Sequence, residues 1–243
     1  MNILLKEQNL GSMTLKLISL PDISATTTAN GRFYHSPVGD LPSITTVLSL
    51  LSRDSIERWR KSIGEEKADK ITKSAGVFGS TIHNMCETYL RTGNYTAPTP
   101  LHMETFLNLK KSLDNHLTDI YGLELPLYSK YLGVAGRTDC IGLWNGKLCV
   151  IDFKTANKYK EKDLIFSYYL QATAYCIMFE ERTGKPITNF VICISSQEGT
   201  LQLIEGKRDD YNIPLLTTVK DYYNEKGLTH PFPRIFANIP TKS

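Results

Sequence analysis

Apolar positions along this chain recur first without a clear period, then at helical spacing, then at the spacing of strands. Residues 1 to about 42 mix short apolar runs with the turn formers Pro21-Asp22 and Asn30-Gly31, and they predict strands or an N-terminal arm. Leu41-Pro42-Ser43 leads into a helix, with Ser43 as N-cap and Ile44, Val47, Leu48 and Leu51 on one face. A second helix is expected from Asp54, burying Ile56 and Trp59. Between Phe78 and Leu90, the residues Phe78, Ile82, Met85, Cys86 and Tyr89 keep helical spacing, and the run stops before Gly93. A further helix is expected from Thr105 to Tyr121, marked by Phe106, Leu109, Leu113 and Leu117 and ended by Gly122.

Beyond Gly122 the pattern turns β-rich over Glu124 to Lys130, Val134 to Leu143 and Lys147 to Lys154. A helix over about Asp163 to Glu181 follows, then strands near Phe190 to Ser195 and Thr200 to Glu205, and a helix over about Tyr211 to Asn224. No internal repeat interrupts this order. Helices, antiparallel strands, a helix and more strands predict an α/β sandwich on a mixed sheet. At 243 residues, one domain with a substantial core is the expectation, with the arm over 1–42 and a single domain over 43–243.

The pair Asn145-Gly146 between the second and third β segments carries the chemistry. Both residues accept the positive φ of a type I′ turn, so a two-residue hairpin is expected. Trp144 then faces Lys147, and Asp139 and Asp152, each five residues further from the turn, face one another. Opposed side chains in an antiparallel pair lie ~4.5 to 5.5 Å apart on one face, so the two carboxylates converge. Like charges so placed call for a cation or a shared proton, and hard oxygen ligands suit Mg²⁺ or Mn²⁺. Lys154, two residues beyond Asp152, points to the same face and sets an ammonium beside the ion. A metal, two acids and a lysine are the parts of a phosphodiesterase. Against this stands the frequency of Asp-x-Lys as a mere strand-end device.

Other candidates gather around that hairpin. His83 lies on the helix from Phe78; the small pair Gly79-Ser80 one turn before it lets another segment approach, and Glu87 one turn after it is placed to orient the ring or share the ion. Glu124 is either a further acidic ligand or a solvated strand start. Gln171 and Tyr175 share a helical face with Tyr168, and a glutamine among aromatics needs partners such as a lysine or a phosphate.

Composition narrows the classes. Hydrophobic residues at 41% and charged residues at 22% exclude a largely disordered chain. The net charge of only +3 means that any nucleic-acid surface is local. Arg53, Arg58, Arg60, Lys61, Lys67, Lys70 and Lys73 form one basic stretch, interleaved with Glu57, Glu65, Glu66 and Asp69, and read either as a solvated helical face or as a DNA-facing one. Five cysteines without a Cys-x-x-Cys pair argue against a zinc knuckle, a disulfide framework and an iron–sulfur cluster. No segment approaches the ~20 apolar residues of a membrane helix, and no secretory or transit pattern opens the chain, so a soluble intracellular protein is expected.

Four pieces in order resemble the RecB-like branch of the PD-(D/E)xK nucleases. They are Gly79-Ser80-Thr81-Ile82-His83, Gly133-Val134-Ala135-Gly136-Arg137-Thr138-Asp139, Val150-Ile151-Asp152-Phe153-Lys154-Thr155 and Tyr168-Tyr169-Leu170-Gln171-Ala172-Thr173-Ala174-Tyr175. The stretch from Leu41 to Leu48 and Trp59 resemble the start of the mitochondrial genome maintenance exonuclease group and its phage counterparts. The resemblance implies a restriction-endonuclease-like core, a central mixed sheet flanked by helices, with an added helical N-terminal part. It implies that His83, Asp139, Asp152 and the backbone carbonyl of Phe153 ligate metal, that Lys154 is catalytic, and that Gln171 and Tyr175 form the motif after it. Substrate contacts are expected from Tyr168, Arg137, Thr155, Ser80 and Trp59, with Phe33 and Tyr34 as further stacking platforms. Single-stranded DNA or a free end is the implied substrate. The sequence departs from the commoner pattern in carrying Asp152 where Glu is usual. With no transit pattern, a bacterial or phage protein is expected rather than a mitochondrial one. Two alternatives stay open: a structure-selective endonuclease of the same superfamily, and a nucleic-acid-binding protein that lost the chemistry.

Overall fold

A computed structural model of the chain describes residues 5–10, 13–237 and 239. Strands are present in the N-terminal region. Strands β1 (Leu5–Leu10) and β2 (Met13–Ile18) pair with each other. Through β2, they extend the main sheet in parallel to β6 (Leu117–Ser129). Strands β3 (Ala25–Thr28), β4 (Gly31–Ser36) and β5 (Gly39–Pro42) form a separate small sheet. Its inward residues Tyr34 and Leu41 pack with Ile23 on Tyr128 and Ala135 of the main sheet.

Ser43 caps α1 (Ile44–Leu48), its hydroxyl accepting from the Thr46 N–H at 3.0 Å. That helix is short and passes into a 3₁₀ turn over Ser49–Leu51, which leaves Leu51 exposed instead of on a buried face. Helix α2 (Arg53–Ile63) starts at the expected place but buries none of its residues, so Ile56 and Trp59 are exposed where burial was expected. Ion pairs hold its ends: Arg53 meets Glu225, and Arg60 meets Glu65 and Asp69. Helix α3 (Glu65–Thr92) is longer than the apolar run predicts and ends at Gly93, whose φ of 75° serves as the left-handed cap.

Helix α4 (Pro100–His116) ends before Leu117, so residues 117–121 are strand where helix was expected. Leu117 and Ile120 continue the spacing of Leu109 and Leu113, but both are fully buried in the sheet core, and that packing overrides the helical period. Gly122 accordingly lies within β6. Strands β7 (Val134–Trp144) and β8 (Lys147–Ala156) follow, then α5 (Phe166–Thr183), β9 (Asn189–Ser196), β10 (Leu201–Lys207) and α6 (Asn212–Glu225).

The seven-stranded sheet runs β1-β2-β6-β7-β8-β9-β10, with parallel pairs β2–β6 and β8–β9 and antiparallel pairs elsewhere. Helices α3 and α4 cover one face through Phe78, Ile82, Phe106, Leu109 and Leu113. Helices α1, α5 and α6 cover the other through Ile44, Leu170, Phe179, Leu215 and Tyr222. Burial on both faces is why β8 reads as a nearly continuous apolar run. Among the described residues no helix is long and apolar enough to cross a membrane.

Candidate active site

One acid from each of three consecutive strands falls at the same level of the sheet. Asn145 and Gly146 take φ of 50° and 76°, the two positive values that a type I′ turn requires. The β7–β8 ladder then runs from Trp144↔Lys147 to Cys140↔Ile151, and Asp139 and Asp152 are the next positions in that register. On the other side, Leu123↔Cys140 and Leu125↔Thr138 bracket Glu124 across from Asp139. The row is therefore Glu124, Asp139, Asp152.

Helix α3 brings His83 against this row. Its Nδ1 lies 3.3 Å from Asp139 Oδ1, while Asp139 Oδ2 accepts the Phe153 N–H at 2.7 Å. His83, Glu124 and Asp139 each offer a ligand atom within 4.8 Å of the others. Asp152 stands beside that trio and not in it: its Oδ2 lies 2.5 Å from Lys154 Nζ, both side chains being largely buried. The hairpin arithmetic thus places the acids on one row, but Asp152 is turned to the ammonium instead of sharing a point with Asp139. The Lys154 ammonium lies 5.2 Å from the centre of the Tyr168 ring.

Charges in this cluster set each other. Burial pushes the Asp139 carboxyl up, but His83, Lys154 and the Phe153 N–H outweigh it and hold the group below the ordinary range. Burial and the Asp139 charge raise Asp152 to about 6 against the pull of Lys154. Burial disfavours the charged forms of His83 and Lys154, yet neighbouring carboxylates raise both. Glu124 is raised to about 7, first by burial and then by Asp139 and Glu87. These residues fit a divalent cation. Asp152 Oδ2 is buried and, apart from its ion pair, accepts no hydrogen bond, and one imidazole among carboxylate oxygens suits Mg²⁺ or Mn²⁺.

Local backbone exceptions shape the site. Glu124 is a non-glycine residue with φ of 48°, a conformation costing about 1–2 kcal/mol. At that residue β6 inverts its faces: Leu123 joins the core under α3, whereas Leu125 joins the core under α5, although a regular strand would send both the same way. Gly79 lets α3 approach β8, since a Cβ there would lie 3.2 Å from Thr155 Oγ1. Gly136 receives Tyr175, and a Cβ there would lie 2.8 Å from the ring carbon Cε1. Gly136→Ala is therefore expected to lose about 1–3 kcal/mol in denaturant unfolding, because the buried ring has to shift. Unchanged stability would show spare room at that contact.

A cleft of about 510 Å³ opens over Glu124 and Asp139, with Asp152, Lys154 and Tyr168 outside its lining. Of the residues expected at the site, Ser80, His83, Glu124 and Asp139 line it, as do Arg137, Gln171 and Tyr175. Thr155 sits behind it against Gly79, and Phe153 contributes its N–H to Asp139 and an edge-on ring to His83 at 6.3 Å. Tyr34 lines the cleft, whereas Phe33, on the opposite face of β4, lines a neighbouring cavity of about 550 Å³ with His35 and Leu228. Trp59, on α2, lines neither. Arg32, Asn84, Ser43 and Thr45 line the cleft without having been singled out as site residues. A signal existed for Arg32, which shares the parity of Tyr34 along a strand, and for Asn84, which follows His83.

Comparison with known proteins bears on this arrangement. The chain is 30% identical to mitochondrial genome maintenance exonuclease 1 of Mus musculus over 154 residues, covering 56% of this chain and 43% of that protein. It is 30% identical to the Homo sapiens protein of the same name over 152 residues, covering 56% and 42%. The Xenopus tropicalis protein matches at 30% over 157 residues, covering 58% and 44%. The matched stretch thus spans less than half the length of these curated relatives. The profile of the PD-(D/E)XK nuclease superfamily matches residues 16–226, a span that takes in the helix of His83, all three strands of the acid row and the helix of Gln171 and Tyr175, and this chain belongs to that superfamily.

Proposed function

We infer that this protein is a divalent-metal-dependent DNA exonuclease, hydrolysing phosphodiester bonds from single-stranded or frayed ends. The observation that carries the reading is the row Glu124, Asp139, Asp152, with His83 against Asp139 and the largely buried Lys154 against Asp152. Mg²⁺ or Mn²⁺ held by His83, Glu124 and Asp139, with Asp152 and the Phe153 carbonyl as further ligands, would polarise the scissile phosphate and acidify a water. Lys154, charged because Asp152 and Asp139 favour its protonated form, is placed to orient the attacking water and to offset charge gathering on phosphorus. Gln171 and Tyr175 close the cleft opposite the helix of His83, and Arg32 offers a cation for the phosphate backbone on its wall. The name exonuclease borne by the curated relatives supports action at ends, and with it a role in replication, recombination or repair.

Digestion of end-labelled linear DNA beside a circular single strand, with and without Mg²⁺ or Mn²⁺, tests the reading. Metal-dependent loss of the linear strand with an intact circle is the expected result. Cutting of the circle would make the protein a structure-selective endonuclease, and binding without cleavage would make it a nucleic-acid-binding protein.

A further inference from the structure

Two arginines from different elements hold the chain on either side of the unusual Glu124. Arg137 Nη1 donates to the Glu124 carbonyl at 2.7 Å, and Arg91 Nη2 donates to the Leu123 carbonyl at 3.1 Å. Each guanidinium is anchored in turn: Arg137 Nη2 reaches Asp22 Oδ1 at 2.6 Å, and Arg91 Nε reaches Glu87 Oε1 at 2.8 Å. The carbonyls of Leu123 and Glu124 belong to the two peptide planes that meet at the Glu124 Cα. Fixing both planes fixes φ and ψ at that residue.

We propose that Arg137 and Arg91 are positioning residues that keep the Glu124 carboxylate turned onto His83 and Asp139 by gripping the peptide planes on both sides of its Cα. This role rests on the metal-binding reading given above. With the grip released, Glu124 relaxes to an extended φ, the strand recovers its alternation, and the carboxylate leaves the trio. Arg137 has both terminal nitrogens engaged, one by the Glu124 carbonyl and one by Asp22, which holds the guanidinium against the Glu124 peptide.

Mn²⁺ titration by calorimetry on the full chain, without DNA, tests this with Arg137→Ala, Glu124→Gln and the double variant. Removing a positive charge near the site would by itself favour a divalent cation, so electrostatics alone predicts tighter binding. The grip predicts the opposite: Arg137→Ala weakens Mn²⁺ binding roughly 10–100-fold, and the double variant binds no more weakly than Glu124→Gln alone. Equal or tighter binding by Arg137→Ala would overturn the proposal, as would the same loss in both backgrounds, because Arg137 would then act on something other than Glu124. Should Arg137→Ala fail to fold, Arg91→Gln carries the same cycle from the other plane. A wild-type chain that binds no Mn²⁺ sinks the metal reading itself, and the grip with it.

Discussion

Lys154→Met is expected to lower the rate of metal-dependent digestion about 10²–10³-fold, with DNA affinity close to that of the wild type. The ammonium is largely buried at 2.5 Å from Asp152, beside the Tyr168 ring, where water screens it little. A charge held there without reorganisation gives far more to a developing phosphorane than one in solvent. Methionine keeps most of the stem's packing, so the loss reports the charge. Asp152→Asn should cost at least as much, because it removes the charge proposed to help hold the metal and the anionic partner that holds the lysine in place. Single-turnover rates beside binding isotherms check both, and a Lys154→Met variant that digests at the wild-type rate would remove this lysine from the chemistry.

Glu124→Gln should invert its effect between metal-free and metal-bound protein. The folded-state pKa of Glu124 is raised to about 7, above the ordinary carboxyl value, so the folded protein holds this proton more tightly than the unfolded chain does. Stability from this group is then fullest at acid pH and is lost as pH climbs through the window from about 4.5 to about 7. Without metal at pH 8, the glutamine variant should melt higher than wild type, and near pH 4 the two should converge. Added Mn²⁺ should raise the wild-type melting temperature much more than the variant's, with affinity reduced roughly tenfold or more. Thermal unfolding at both pH values, with and without Mn²⁺, decides it. A variant less stable than wild type in metal-free buffer at pH 8 would mean that Glu124 is not a strained acid.

Much of the site follows from local rules that a sequence displays openly. Asn145-Gly146 fixes a turn, the turn fixes a register, and the register aligns Asp139 with Asp152. Gly79 is legible as a place where another element comes close, and the spacing from Phe78 to Tyr89 gives the helix that carries His83. What stays hidden is decided by partners distant in the chain. Leu117 and Ile120 keep the helical period of α4 yet become strand because the sheet core receives them. Ile56 and Trp59 have the spacing of a buried face, but among the described residues nothing covers them. Glu124 reads as the head of a strand, and only the split of Leu123 and Leu125 between opposite cores reveals the inversion that aims it. The turn of Asp152 toward Lys154 likewise depends on burial, which no register states.

The two-residue turn at Asn145-Gly146 also works as a ruler for the genome that encodes it. Strand faces alternate with every residue, so one codon added at the tip would slide β8 against β7 and set Asp139 across from an apolar neighbour of Asp152, either Ile151 or Phe153. Length changes in this chain should therefore be tolerated in connections such as residues 157–161 and purged from a hairpin tip that is no part of the cleft's lining.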